Sequence, residues 1–450
     1  MPRTIFPTRH IHTLKTHNGP VNAVTFSSSG GTYVLTGSSD RAVHLSRAVS
    51  NNSNSQTAVE TTTPIQKYEA HGYSVLDIAV AADNARFASV GGDRQVFLWD
   101  VEQGITTKRW SGHNSRVEAV QFAGDGDSVV VTGSADTTIN LWDTRSSSYK
   151  PIQTLTEATD TVSTLHVHMG SYSIASGSYD GHARIYDVRT GKTTVDVLAH
   201  PVTSVRCSSD GNALLASTLD GHIRLLDRMD GKVLSSFSGE KTVAGGIGKP
   251  KYSYRNSELR VRSVFAMGDA VVLSGSEEGT AGAAAFAWDV VKGEVIAAVP
   301  VGEKVKAVSC VAWNEGVGDW AAGCSDGKYC GVFWRVGAIC ADFCFKVLSG
   351  STDELGSFGL DVSNKVSDKA IMTGWSPPLV STSNVAVLEL LHATLCHLPK
   401  QGRVRNLVWT SQVCGGLAAI SQFPFNLRLY GVDDGHLLLA SGECGHLEQV

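Results

Sequence analysis

The sequence predicts an all-β protein, a seven-bladed β-propeller with a C-terminal extension, and three observations predict it. The stretch "GDRQVFLWDVEQG" (92–104) recurs as "GSADTTINLWDTR" (133–145), "GSYDGHARIYDVR" (177–189) and "STLDGHIRLLDRM" (217–229). In each copy an Asp stands six residues before a Trp, Tyr or Leu, and a second Asp follows that residue. The leading residues Asp93, Asp136, Asp180 and Asp220 are spaced by 43, 44 and 40, the period of a four-stranded blade. Between the turns run short segments rich in Val, Ile, Thr and aromatics, with no helical periodicity of useful length.

Three looser copies bring the count to seven. Asp40 begins "DRAVHLSR", where Ser46 and Arg47 replace the Trp-Asp pair. "SGSEEGTAGAAAFAWDV" carries Trp288 and Asp289 behind extra small residues, and "AGCSDGKYCGVFW" carries Asp326 and Trp334. Each copy reads as four strands; in the second they are "SVLDIAV", "RFASV", "QVFLWD" and "ITTKRW". One such sheet cannot bury both faces, whereas seven arranged radially bury them against each other. "IHTLKTH" (11–17) is placed to give the outer strand that closes the last blade.

The propeller is expected over residues 11–336. Two insertions interrupt it: a polar low-complexity loop at 50–64 and a Gly/Lys-rich stretch at 239–258. Residues 337–450 form an irregular extension, in which 403–446 ("GRVRNLVWTS", "GLAAISQ", "LRLYGVDDGHLLLASGE") reads as blade-like strands. An eighth repeat, a decayed copy and a misread gene end all fit that segment.

The chain has 450 residues, 42% hydrophobic and 18% charged, with a formal net charge of −5, a balance that fits a soluble globular protein. It points to neither nucleic acid nor a membrane surface as partner. The start "MPRTIFPTRH" lacks a secretory apolar run, and nine cysteines argue for reduced thiols in cytoplasm or nucleus. No dense Lys/Arg block decides between the two compartments.

Several patterns carry potential chemistry. "GCSDG" (323–327) fits the Gly-x-Ser-x-Gly nucleophile pattern, but Ser325 falls at a blade turn rather than a strand-to-helix elbow. "GGIGKP" (245–250) has Pro where a phosphate loop needs Ser or Thr. Cys324, Cys330, Cys340 and Cys344 lack zinc-knuckle spacing. Asp180/His182 and Asp220/His222 occupy equivalent turns, which hold a metal only if both lean inward. No catalytic constellation, cofactor site or metal site results, and the reading is a non-catalytic binding platform, monomeric.

The repeats resemble the WD-repeat family. His17, His71, His113 and His200 lie 20–23 residues before a turn Asp, and the resemblance implies a hydrogen-bond network linking His, Ser/Thr, Asp and Trp in each blade. By position the best sets are His71, Ser89, Asp93, Trp99 and His113, Thr132, Asp136, Trp142. No His precedes Asp180, and Ala216 and Leu226 break the fifth set, so Asp136→Ala is expected to cost more stability than Asp220→Ala.

Longer words are similar to the mitogen-activated protein kinase organizer family: "AHGYSVLDIAVAADNARFASVGGDRQVFLWDV" (70–101), "GSADTTINLWDTRS" (133–146), "QTLTEATDTVSTL" (153–165), "STLDGHIRLLDRMDGK" (217–232) and "AVPVGEKVKAVSCVAW" (298–313). That resemblance implies a scaffold for kinase-cascade components, with association to spliceosomal complexes and splicing factors. A different class stays open. "WDTR" (142–145) and "YDVR" (186–189) resemble the Asp-x-Arg ending of substrate receptors for cullin-RING ubiquitin ligases, with Arg145 and Arg189 as contacts.

In WD-repeat propellers the innermost strand of each blade begins near the narrower face. Alternate residues around its first Val should reach that face and the central channel. They are Arg116 and Glu118 in the third blade, Arg260 and Arg262 in the sixth, and Lys304 and Lys306 in the seventh. The four cations of the last two blades are expected to form one basic rim for an acidic or phosphorylated segment.

Overall fold

Each repeat folds into one antiparallel sheet. The computed structural model describes residues 6–28, 30–48, 59–238, 252–279, 282–301, 305–326 and 330–335, with three strands between 407 and 442. The chain divides into two compact units, Met1–Asp342 and Phe343–Val450.

In the first unit, six sheets have the four-stranded form expected. The second blade shows the pattern, with Val75–Val80, Arg86–Gly91, Gln95–Asp100 and Thr106–Ser111 in that order. The innermost strands of the other five are Val21–Phe26, Val117–Ala123, Val162–His168, Val202–Cys207 and Ser263–Ala266. The expectation of seven such blades is corrected to six. The remaining sheet is a five-stranded composite: Val308–Asn314, Asp319–Cys324 and Cys330–Arg335 are joined by Arg9–Leu14 and Val59–Thr61. Arg9 lies opposite Arg335 in an antiparallel pairing, and Val59–Thr61 adds a parallel edge. The fifth strand comes from the segment read as a polar loop. Val59, Glu60 and Thr61 alternate well enough to pair once an open edge is beside them.

The sheets are held by what lies between them. Among the described residues, seven apolar clusters each join two neighbouring sheets. One contains Ala23, Leu35 and Val43 of the first blade with Val75, Ile78 and Phe87 of the second. Another contains Leu14, Val21 and Val34 with Cys310 and Ala321, and so links the first blade to the composite sheet. The recurring Gly three residues before the turn Asp belongs to this packing. A Cβ on Gly133 would sit 2.7 Å from Val162 of the next blade, and on Gly323 2.8 Å from Val21.

Six inner strands share a register shift after their first Val, as between Val75 and Asp77 and between Val117 and Ala119. Such a bulge re-aims the residue it contains. In the second unit, Leu407–Thr410, Leu427–Asp433 and His436–Gly442 form a three-stranded antiparallel sheet. Most of the 239–258 insertion and of 337–450 lies outside the described residues.

Candidate interaction face and the networks that support it

Polar networks fix the loops that make the face. In the second blade, His71 Nδ1 lies 2.7 Å from Asp93 Oδ2 and its Nε2 lies 2.7 Å from Ser89 Oγ. The Trp99 indole N–H donates to the same Ser89 Oγ at 2.8 Å. An ionised carboxylate only accepts, so Nδ1 carries the proton. The relay then runs Trp99 to Ser89 to His71 to Asp93, each group donating to the next. The third blade repeats it: His113 contacts Asp136 Oδ2 at 3.0 Å and Thr132 Oγ1 at 2.8 Å, and Trp142 donates to Thr132 at 2.8 Å. The Asn114 and Gly72 backbone N–H groups also donate to Asp136 and Asp93. The network therefore ties the loop leading into each blade to its central turn.

Blade one keeps the His and the Asp but not the Trp. His17 bonds Asp40 at 2.8 Å and Thr36 Oγ1 at 2.9 Å. The Trp position is Ser46, and the His44 ring stacks on His17 instead, with centroids 3.8 Å apart. Burial raises the Asp40 carboxyl, but the His17 hydrogen bond and charge outweigh it and hold the group at about 2. Burial, then the neighbouring His17, push His44 down to about 4.

Blades four and five use arginine. Arg184 grips Asp180 with Nη1–Oδ1 at 3.2 Å and Nη2–Oδ2 at 2.8 Å. Arg224 grips Asp220 the same way and donates to Thr218 Oγ1 at 2.6 Å. His200, expected to serve Asp220, is exposed and stands 3.9 Å away. Ala216 and Leu226 leave the inner half of the fifth set empty, as expected, while in both blades the turn Asp is satisfied by a different cation. Its signal is the residue four after the turn Asp: Phe97 and Asn140 where a His is present, Arg184 and Arg224 where it is missing or turned away. In the sixth blade Glu277 takes the Asp role and accepts the backbone N–H groups of Ser257, Glu258 and Leu259 at 2.8, 2.7 and 2.7 Å.

The expected basic rim is rebuilt. Arg262 and Arg260 reach across the central channel to the second and third blades. Arg262 bonds Asp77 Oδ1 at 2.5 Å and the Leu76 carbonyl at 3.0 Å. Arg260 bonds Glu118 Oε2 at 2.6 Å and the Glu118 carbonyl at 2.9 Å. Asp77 is completed by the Ile78 and Val120 backbone N–H groups. These guanidinium side chains are 15% (Arg260) and 12% (Arg262) exposed, so neither is a free cation of the surface. The reason is geometric: the sixth blade faces the second and third across the channel, where two carboxylates wait. Arg116, 57% exposed, pairs with the other oxygen of Glu118, and Lys306 is exposed. Lys304 lies outside the described residues. The loop ends around the channel mouth also expose Tyr73 and Leu259.

The other sequence candidates fall in structural positions. Ser325 sits in a turn, its Oγ accepting the Ala307 N–H at 2.9 Å. Burial pushes the Cys207 and Cys310 thiols up to about 11, away from nucleophilic use. Cys324 is buried, and "GGIGKP", Cys340 and Cys344 lie outside the described residues. His182 bonds the Asp180 carbonyl, and among the described residues no three His, Cys, Asp or Glu side chains gather as a metal site. Arg145 and Arg189 are both exposed; Arg189 lies over the Tyr172 ring, 5.5 Å from its centroid.

Comparison with known proteins matches this architecture. The profile described as WD domain, G-beta repeat matches residues 8–45, and that of Nucleolar protein 10-like, N-terminal domain matches residues 74–248. The chain is 35% identical over 299 residues to the WD repeat domain-containing protein 83 of Rattus norvegicus, covering 66% of this chain and 84% of that protein. The Homo sapiens protein of the same name is 36% identical over the same shares. A Dictyostelium discoideum homolog is 26% identical over 59% of this chain and 81% of its own length. With an all-β propeller, blade networks of the expected kind and relatives that match along most of their length, the chain belongs to the WD-repeat family, whose propellers are protein-interaction platforms.

Proposed function

We propose that the protein is a non-catalytic scaffold of the mitogen-activated protein kinase organizer type. It assembles kinase-cascade components and associates with splicing factors, as a monomer in the cytoplasm, the nucleus or both, with no direct hold on nucleic acid. The carrying observation is the similarity to the WD repeat domain-containing protein 83 relatives across most of the ring, at 35 and 36% identity. The channel mouth fits the role: the segments that enter the innermost strands carry exposed Tyr73, Leu259, Arg116 and Lys306. Anchors of this kind on rigid supports are what protein interfaces use.

Affinity purification of the full chain at native salt, followed by identification of the bound proteins, tests the reading. Kinases of one cascade and splicing factors are expected; their absence from a well-folded bait overturns it. A second reading, a substrate receptor of a cullin-RING ubiquitin ligase, rests on the exposure of Arg145 and Arg189 at equivalent strand ends. Recovery of a ligase adaptor that is lost in Arg145→Ala would select it.

A further inference from the structure

In the first blade, the connection between the third and fourth strands is far longer than its counterparts. Val43–Arg47 and Gln66–Tyr68 pair directly, with Leu45 opposite Gln66, and the Ile65 N–H donates to the Leu45 carbonyl at 2.8 Å. Residues 48–65 lie between these strands, whereas residues 101–105, 188–192, 228–232 and 290–294 suffice in the second, fourth, fifth and sixth blades. The hairpin therefore closes without residues 49–64, and the strand Val59–Thr61 inside that insertion serves another sheet.

That strand lies parallel to Arg9–Leu14, with Val59, Glu60 and Thr61 opposite His12, Thr13 and Leu14. Thr61 makes two further bonds: its carbonyl accepts the Lys15 N–H at 2.8 Å, and its hydroxyl lies 2.7 Å from His12 Nε2. His12 Nδ1 is 3.5 Å from the Ala48 carbonyl, which only accepts. Nδ1 thus carries the ring proton, and Nε2 accepts that of the Thr61 hydroxyl. His12 is buried, and burial holds it below the usual imidazole range, which keeps the ring neutral. The pairing covers only His12–Leu14 of the strand Arg9–Leu14. Among the described residues, no other sheet of the first unit takes a fifth strand. A parallel pairing this short is weak, and a strand edge is a template for another chain.

We infer that the outer edge of Arg9–Leu14 is a strand-acceptor site, which Val59–Thr61 fills in cis and an extended segment of a partner protein takes by parallel strand addition. The incoming segment needs a Ser or Thr where Thr61 lies, because the buried His12 accepts a hydroxyl proton there. It gains over the cis strand by pairing with Arg9–Ile11 as well. Backbone pairing gives the hold, and the hydroxyl gives the selection. Val59–Thr61 acts as a displaceable strap, on the outer rim of the ring and apart from the channel mouth.

Replacing residues 49–64 with Glu-Gln-Gly gives the first blade the turn that residues 101–105 make in the second. This shortened chain and the wild type are titrated with a peptide spanning Gln56–Thr63, and the Lys15 amide resonance is followed. The shortened chain should bind the peptide at millimolar concentration. The wild type should bind it roughly tenfold more weakly or worse, because its own strand competes at a high local concentration. Thr61→Val in the peptide should cost roughly fivefold or more in affinity, the size of a lost hydrogen bond that leaves a buried acceptor stranded. Val59→Pro with Thr61→Pro in the full chain removes two backbone donors from the cis strand, and serves where the shortened chain fails to fold. A silent Lys15 resonance, equal affinity with and without the cis strand, or indifference to Thr61→Val in the peptide overturns the site. Wild-type dimers that vanish on shortening would assign the edge to a second copy and overturn the partner.

Discussion

Arg262 and Asp77 are 185 residues apart in the chain and meet at 2.5 Å across the centre of the ring. Their pairing, with that of Arg260 and Glu118, makes the two halves of the propeller contact one another through the channel as well as around the circumference. Removing one partner leaves the other's charge in a partly desolvated site. Arg262→Ala is therefore expected to cost about 3–5 kcal/mol, whereas the paired change Arg262→Met with Asp77→Leu costs far less. Denaturant titrations of the two variants decide it, and equal losses would show that the charge itself is not what matters.

The arginine-based turns alter the order expected for the aspartates. Asp136→Ala and Asp220→Ala should each cost about 1–3 kcal/mol, because each strands buried donors. Arg224→Leu added to Asp220→Ala should recover part of the loss by removing the stranded guanidinium. Midpoints of chemical denaturation compare the three. If Asp220→Ala alone is neutral, Arg224 is solvated and contributes no network.

Acid should act in two steps. Asp40 and Asp220, both at about 2, have folded values below the ordinary carboxylate value. Their contribution is complete above that ordinary value and is lost as pH falls through about 2. His44 titrates earlier. It is held at about 4, below the value of about 6.5 for a free imidazole. The unfolded chain thus takes up a proton first, and stability falls by about 1–2 kcal/mol between pH 6.5 and 4. Urea midpoints across that window should flatten in His44→Phe; an identical slope would remove His44 from the account.

The strand Arg9–Leu14 closes the composite sheet, so deletion of residues 1–14 should abolish cooperative unfolding. Truncation after Arg335 should preserve it, since every sheet of the first unit ends by that residue. Calorimetric scans of the two shortened chains separate the roles. Aggregation of the chain that ends at Arg335 would bring the C-terminal unit into the folding of the ring.

At the channel mouth, Lys306→Glu and Arg116→Glu should weaken partner binding with little change in melting temperature, and wild-type affinity should fall with added salt. Arg262→Glu is not a fair probe of this surface, because it would place two carboxylates in contact. Normal partner binding by the double variant at low salt would move the interface elsewhere.

The repeat was legible because each blade writes its turn twice, as an Asp and as the aromatic six residues later. The His71 and His113 sets followed from the WD-repeat resemblance, with position choosing their members. Three things were not legible. The arginine turns were hidden because Arg184 and Arg224 sit on strand positions that read as solvent-facing polar residues. The cross-channel pairs depend on which blades face each other, a property of ring closure rather than of local pattern. The bulge after the first Val shifts side-chain direction by one place, and no residue type in that strand announces it. The composite sheet was half legible: "IHTLKTH" pointed to the closing strand, but nothing in Val59–Thr61 identified a partner so distant in sequence.

Arg9 finds its place only when Arg335 has been made. At a ribosomal rate of roughly 5–20 residues per second, the earliest strand waits tens of seconds for the latest. Throughout that interval the first blade offers a bare flank to whatever is nearby, including another nascent chain of the same kind. Biogenesis of this protein is thus a matter of guarding one open seam, and attendant chaperones are expected to engage the growing chain before its last sheet emerges.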